Sequence, residues 1–392
     1  MHKNYLFETM TILSLDDKSF LTHRLPMALA AKRLCKNICV ICRNTGQSET
    51  IKSLGFEVID LSAEIQSVTD FSAANVVFRL ARIYRDKKPN IVYHSSVQMS
   101  FIGAMANLLA GGVPNINAIT GVGYLFSSTD LKAKILRCFL NPVLKFLWAR
   151  DNTVLLFQNS DDRQLFYDKG LSNLHAPIIP GSGVDDNLFA PALRRRRSGV
   201  KAKTLVIGCA SRLIKDKGLE ELILAIKAID QSYDIELHIA GEIYKQNPSS
   251  FSEDEVKKWA EIKSVKLLGN VTDMVGFWQG CDIAILPSHR EGLPKALLEA
   301  AACGLPLLGS DVPGVREIVV HGSNGLLFTK GDSVDIASKI EKMIDDRAFR
   351  IAAGKASRCL IETGGFSNAV VEASFFDLFR SIKSRAAPAS DK

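Results

Sequence analysis

Residues 286–306 read LPSHREGLPKALLEAAACGLP, and this one run holds a strand end, a turn and a helix start. The apolar residues leading into it, CDIAIL (281–286), predict a buried strand that ends at Ser288. Gly292 marks the turn. Pro294 suits the first helical position, where its missing N–H is no loss, and the residues after it carry apolar side chains at helical spacing. Strand, turn and helix in that order form the repeating unit of an α/β protein.

Working outward, the unit recurs on both sides. Upstream lie TLVIGCASR (204–212), the helix GLEELILAIKAI (218–229), IELHIAG (235–241) and VKLLGN (265–270); downstream lie LPLLGS and GLLF. The first half alternates in the same way: MTILSL (10–15), a helix through PMALAAKRLCK, NICVICR (37–43), FEVIDL, a helix near 72–85, NIVYH (90–94), a helix near 100–110, NINAI and TVLLFQNS. Between the halves, residues 178–203 (IIPGSGVDDNLFAPALRRRRSGVKAK) have no apolar periodicity. The pattern therefore predicts a first domain over 1–190, a basic linker over 191–203, a second domain over 204–365 and a C-terminal helix in 366–392 packing back on the first domain. Arg194–Arg197 within the linker read as a solvated charge run rather than a phosphate site. Doubly wound domains that face each other leave a cleft at the carboxyl ends of their strands, so the functional loops are expected to follow strands.

Composition narrows the class. Of 392 residues, 47% are hydrophobic and 23% charged, which excludes disordered, collagen-like and coiled-coil chains. The net charge of +7 is mild; it suits an anionic small ligand or surface and falls short of a nucleic-acid binder. No apolar run reaches the roughly 18 residues of a spanning helix, so a cytoplasmic, non-spanning protein is expected. The eight cysteines are scattered and mostly lie in apolar segments, the pattern of reduced buried thiols. Cys39 and Cys42 form a CxxC, but an offset of three along a strand sends their side chains to opposite faces.

Two loops carry the chemistry. At the head of the helix that Pro294 opens, the amides of Gly292 and Leu293 could seat a phosphate. Glu291 precedes that helix and Glu299 lies inside it; each carboxylate can accept a pair of hydroxyls, one from a sugar and the other from a ribose. After the strand at 204–210, Arg212 and Lys217 are placed to hold a diphosphate, the first as a planar fork and the second as a point charge. Such cations stabilise charge that builds on a departing diphosphate. Neither HExxH nor a clustered His/Cys set nor Asp-x-Asp is present, so no metal and no cofactor is expected. Two histidines are further candidates: His94 at a strand end and His23 beside Arg24, each either a cleft contact or ordinary packing.

SRLIKDKGLEELILAI (211–226), LLGNVTDM (267–274), residues 286–319 and HGSNGLLF (321–328) resemble the donor half of retaining glycosyltransferase family 4. SFLTHRLPMALAAKRL (19–34), AITGVGYLF (118–126), LLFQNSDDRQLF (155–166) and IIPGSGVDDNLF (178–189) are similar to its branch that builds capsule, O-antigen and exopolysaccharide units on bacterial lipid carriers. The resemblance spans nearly the whole chain. It implies the GT-B fold, two facing Rossmann-like domains with an interdomain cleft and C-terminal helices. It also implies transfer of a hexose or N-acetylhexosamine from a nucleotide diphosphate sugar, UDP foremost, to a polyprenyl-diphosphate-linked saccharide at the inner membrane face. By the same resemblance Arg212 and Lys217 contact the diphosphate, Glu291 the hexose and Glu299 the ribose; Gly292, Leu293 and Pro294 line the phosphate and sugar, and Leu268 to Val271, with Asn270, run along the base. Thr120 and Gly121 stand where relatives place a His-Gly pair near the reacting sugar; threonine there can only hydrogen bond. The first loop, DDKSFLTHRLP, lacks the glycines many members have.

Residues 131–150 (LKAKILRCFLNPVLKFLWAR) form a basic amphipathic helix, broken in pattern by Pro142, that suits an anionic bilayer surface or, alternatively, a domain core. Competing functions are a nucleotide-sugar epimerase of the same architecture and a non-catalytic nucleotide-sugar-binding subunit. A dehydrogenase is disfavoured because GxGxxG is missing after the first strand of either half.

Overall fold

The computed structural model describes residues 5–63, 73–122, 126, 131–192, 204–243 and 249–386. In the first unit, β1 (Phe7–Asp16), β2 (Cys35–Arg43), β3 (Glu57–Asp60), β4 (Ile91–Ser95), β5 (Asn115–Ile119) and β6 (Thr153–Phe157) form a sheet in the order β3-β2-β1-β4-β5-β6. Every pairing is parallel, with Leu13 opposite His94 and Met10 opposite Ile91. Every residue of β4 and β5 is buried, as expected of parallel strands covered by helices on both faces. The connecting helices are α1 (Asp17–His23), α2 (Leu25–Lys32), α3 (Ser48–Ser53), α4 (Ala73–Lys87), α5 (Val97–Leu109), α6 (Leu131–Trp148) and α7 (Ser160–Asp168).

The second unit repeats the plan. Its strands are β7 (Leu205–Ala210), β8 (Ile235–Ala240), β9 (Val265–Gly269), β10 (Ile283–Leu286), β11 (Leu307–Ser310) and β12 (Gly325–Phe328), ordered β12-β11-β10-β7-β8-β9. Its helices are α8 (Leu219–Ile229), α9 (Glu253–Ala260), α10 (Met274–Gly280), α11 (Lys295–Ala302), α12 (Ser333–Asp345) and α13 (Arg347–Thr363). Counted from its own first strand, each sheet has the 3-2-1-4-5-6 order of a doubly wound nucleotide-binding fold. Both therefore reverse direction between strands one and four.

The division between units differs from the sequence expectation. It falls between Ser182 and Gly183, not at 190. The cause is hydrogen bonding: Val184 N donates to Phe366 O, Asn368 N donates to Val184 O, and Arg358 donates to the carbonyls of Asp186 and Phe189. Residues 183–192 are thereby tied to the second unit. The rest of the expected linker, 193–203 with its four arginines, lies outside the described residues. The last helix, α14 (Asn368–Ala386), sets Val371, Phe375, Phe379 and Ile382 into the first core beside Met10 and Tyr93.

Cys39 and Cys42 do face opposite ways, one into each core flanking the first sheet, and burial pushes both thiols up to about 12. Neither is poised for metal or redox chemistry. Cys138 and Cys359 are exposed, and the other six cysteines are buried.

Helix α6 has two apolar faces. Leu144, Leu147 and Trp148 are buried in a core with Phe157 and Phe166, while Leu131, Ile135, Leu136, Phe139, Val143 and Phe146 are exposed. The sequence presents these as one broad stripe; packing divides it. Pro142 lies within the helix. Among the described residues no helix is long and apolar enough to cross a membrane.

Candidate functional site

The second sheet reverses between β7 and β10, so the loops that follow these two strands lie side by side at its carboxyl end. The β7 loop runs into a 3-10 turn over Lys215–Lys217 and ends at Gly218, whose φ of 64° is left-handed. A side chain there would meet the carbonyl oxygen of Pro287 at 2.0 Å, so only glycine lets the two loops approach this closely.

Across that contact, Lys217 Nζ lies 2.5 Å from Glu291 Oε1, and Ser288 Oγ donates to the same oxygen at 2.7 Å. Both members of the ion pair are largely enclosed, with 16% and 13% of their side chains exposed, which separates them from an ordinary solvated surface pair. Two further bonds brace the loops: His289 N donates to Asp216 O at 2.9 Å, and His289 Nε2 lies 3.0 Å from Glu221 Oε1 on α8. These contacts make His289 a brace between its own loop and its neighbours. Arg212 follows β7 directly and is exposed at this edge.

Helix α11 starts one residue later than its sequence suggests. Pro294 has ψ 108°, an extended value, and serves as the N-cap whose carbonyl accepts from Leu297 N and Leu298 N. Gly292 and Leu293 are half-buried in the turn before it. Glu299 sits one turn into α11, where Trp278 Nε1 on α10 donates to its Oε2 at 3.3 Å. Burial pushes its carboxyl above the usual range, against the pull of Lys295 and of the Trp278 hydrogen bond. Asn270 is exposed and Val271 half-buried just beyond β9, on the same side of the sheet. The second unit thus places Arg212, Lys217, Glu291, Gly292, Leu293, Pro294, Asn270 and Val271 in loops after its strands, with Glu299 on the helix that follows, and joins Lys217 to Glu291.

Ser288 and Trp278 were missed in the sequence. The signal for Trp278 was available, since an enclosed indole N–H needs a partner. Ser288 offered none, because its role depends on where a carboxylate three residues away turns.

In the first unit Thr120 and Gly121 follow β5, both half-buried, with Gly121 at φ 119°. His23 ends α1 and is exposed. The glycine-free first loop folds at once into α1, capped by Asp16; the Asp17 carboxylate takes the amides of Lys18, Thr45 and Gln47 together with the Thr45 hydroxyl. Burial pulls this carboxyl up, but those hydrogen bonds outweigh it and hold it below the usual range. At the end of β4, beside β1, Ser96 adopts φ 80°, a strained value for a side chain, while its Oγ caps α5 by accepting from Met99 N.

His94 requires correction as a ligand contact. It is fully buried, and Gly103 of α5 packs so closely on the ring that a Cβ there would lie 2.3 Å from it. Asn117 donates its amide to Asn115 Oδ1 at 2.6 Å, so its oxygen accepts from His94 Nδ1 at 2.7 Å; the other ring nitrogen then accepts from the Tyr84 hydroxyl at 3.2 Å. Burial pushes the imidazole from 6.5 down to about 4, the Asn117 bond opposing it. The neutral ring contributes stability that is complete above pH 6.5 and is lost as pH falls from there towards 4, a total of roughly 3 kcal/mol. Urea unfolding at pH 7 and pH 4.5 is expected to show a smaller acid loss in His94→Gln than in wild type; equal losses would exclude this account.

Two comparisons of sequence and one of structure bear on this site. Residues 12–159 match the family described as Glycosyl transferase 4-like, and residues 193–359 match Glycosyl transferases group 1. The chain is 25% identical over 334 residues to the capsular polysaccharide biosynthesis glycosyltransferase CapM of Staphylococcus aureus, covering 83% of this chain and 86% of that protein. It is 26% identical over 331 residues to the UDP-Gal:alpha-D-GlcNAc-diphosphoundecaprenol alpha-1,3-galactosyltransferase of Escherichia coli, covering 80% and 82%. The fold is similar to that of a sucrose-phosphate synthase from Thermosynechococcus elongatus, with a TM-score of 0.80 at 17% identity over 97% of this chain and 100% of that one. With the paired cation and carboxylate lying inside the matched second half, the chain belongs to the GT-B glycosyltransferases, 4-like in its first half and group 1 in its second.

Proposed function

We propose that this glycosyltransferase moves a hexose or N-acetylhexosamine, with retention of configuration and without a metal, from a UDP-sugar to a polyprenyl-diphosphate-linked saccharide in bacterial surface polysaccharide synthesis. The observation that carries the reading is the Lys217–Glu291–Ser288 constellation at the point where the second sheet reverses. A cation for the diphosphate and a carboxylate for the sugar stand there within one hydrogen bond of each other. The donor and acceptor classes are those in the name of the Escherichia coli relative.

The Glu291 carboxylate is engaged by Lys217 and Ser288, which disfavours it as a nucleophile and favours a front-face course. The acceptor hydroxyl oxygen bonds to the anomeric carbon as the bond to the diphosphate oxygen breaks, and the hydroxyl proton passes to the departing diphosphate. Lys217 and Arg212 offset the charge that develops there; Glu291 orients the hexose and Glu299 the ribose. The test is incubation with labelled UDP-sugars and a bacterial lipid extract, with and without EDTA. Label is expected to enter the organic phase equally in both. No lipid-linked label with any sugar would overturn the reading, and donor epimerised without acceptor would replace it with the epimerase.

A lipid-linked acceptor places the enzyme at the inner face of the cytoplasmic membrane, and the outer face of α6 suits that surface. Phe139 and Phe146 are exposed beside Lys134, Arg137 and Lys145, and the helix contains no acidic residue. Replacing Phe139 and Phe146 together by glutamate is expected to cut co-sedimentation with phosphatidylglycerol vesicles about tenfold. Binding that ignores both the substitutions and the anionic lipid would sink this part of the reading.

A further inference from the structure

The geometry points to Ser288 as a positioning residue that acts on the transferred sugar through Glu291, and it rests on the reading above in which Glu291 meets that sugar. Ser288 follows β10 and is completely enclosed, so its hydroxyl must bond within the protein. It donates to Glu291 Oε1 at 2.7 Å, the oxygen that also receives Lys217 at 2.5 Å. A carboxylate oxygen has two lone-pair directions, and these two donors fill them. Oε2 is left to accept from a sugar hydroxyl.

The arrangement matters when a diphosphate arrives. Lys217 then has two anions to serve, Glu291 and the phosphate, and its hold on Glu291 weakens as its charge is shared. The Ser288 hydroxyl is neutral and has no such competitor. It keeps Glu291 in one orientation while Lys217 turns to the phosphate, so the two halves of the donor are gripped independently. Because Ser288 reaches the donor only through Glu291, its loss should affect the sugar and spare the nucleotide.

Titration calorimetry with UDP, UDP-glucose, UDP-galactose, UDP-N-acetylglucosamine and UDP-N-acetylgalactosamine tests this. Ser288→Ala is expected to leave UDP affinity within about twofold and to weaken the UDP-sugar that wild type prefers by about tenfold, the effect of losing a hydrogen bond to a charged group. In a Glu291→Gln background the same substitution is expected to add nothing. Equal weakening of UDP and UDP-sugar would reduce Ser288 to loop support, and an unchanged UDP-sugar affinity or strictly additive losses would also overturn the proposal. Should Ser288→Ala lower the melting temperature sharply, Ser288→Cys keeps the volume with a far weaker donor, and the same outcomes apply. A wild-type protein that binds UDP but none of the sugars better than UDP overturns the role of Ser288 alone; one that binds no UDP at all overturns the donor reading, and this inference with it.

Discussion

Replacing Lys217 by alanine is expected to lower turnover by about 10²–10³-fold while the protein stays folded. In the proposed reaction the lysine stands where charge accumulates as the diphosphate departs, and such a group contributes more in the transition state than in the bound donor. The loss should therefore fall mainly on kcat, with a smaller rise in KM for the donor. Stability is expected to change by only about 1–2 kcal/mol: Glu291 loses its ion-pair partner but keeps Ser288, and the pair is not completely dry. Arg212→Ala is expected to act in the same direction and more weakly, since Arg212 is exposed at the edge of the site. Lys217→Arg should recover little, because a planar fork cannot replace a point charge within so short a contact. Kinetics with the lipid-linked acceptor, alongside a melting curve, decide the matter. Wild-type turnover in both Lys217→Ala and Arg212→Ala would remove these cations from the mechanism.

Gly218→Ala is expected to damage both stability and turnover, although it adds a single methyl group. That methyl would fall 2.0 Å from the Pro287 carbonyl oxygen, and backbone cannot yield as a flexible side chain can. The residue also has φ 64°, which alanine adopts only under strain. Overpacking and strain together are expected to cost about 2–4 kcal/mol. In a unit of this size that lowers the melting temperature by roughly 5–10 °C. Relief requires the β7 and β10 loops to separate by about 1 Å, and a displacement of that size at an active site lowers turnover about 10²-fold. The same separation stretches the Lys217–Glu291 contact, so the activity loss should persist at temperatures where the variant is fully folded. A variant with wild-type melting and wild-type turnover would show that the loops do not need this approach.

Both substitutions act where two strands remote in sequence, β7 and β10, become neighbours. The alternation of apolar runs and amphipathic stretches was enough to place the described strands within a few residues, because inner strands such as β4, β5, β10 and β11 are buried on both faces and helices covering a sheet must be apolar on one side. The candidate site was partly legible for a related reason. Ligands in such sheets lie beyond the carboxyl ends of the strands, and a charged residue just after an apolar run, as with Arg212 or Glu291, is placed at that edge by its position alone.

Where the structure adds to or departs from the linear pattern, the cause is shared as well. His94 also ends an apolar run, but it stops inside the sheet layer, beneath α5 and against Asn117 and Tyr84. The α6 stripe reads as one face because spacing along a helix does not say which neighbour covers which part of it. The domain boundary moved to Ser182 because hydrogen bonds with Phe366, Asn368 and Arg358 claim residues 183–192, and no local pattern records them.

Two parallel α/β units, the ends of the strands and the charged residues near them were legible in the amino-acid order, since all of these follow from the period of burial along a local stretch of chain. That Lys217 meets Glu291, that Ser288 shares the same oxygen, and that His94 is sealed away emerged from the folded arrangement. Those are contacts between segments brought together by the strand order, and distance in space between such segments has no counterpart in spacing along the chain.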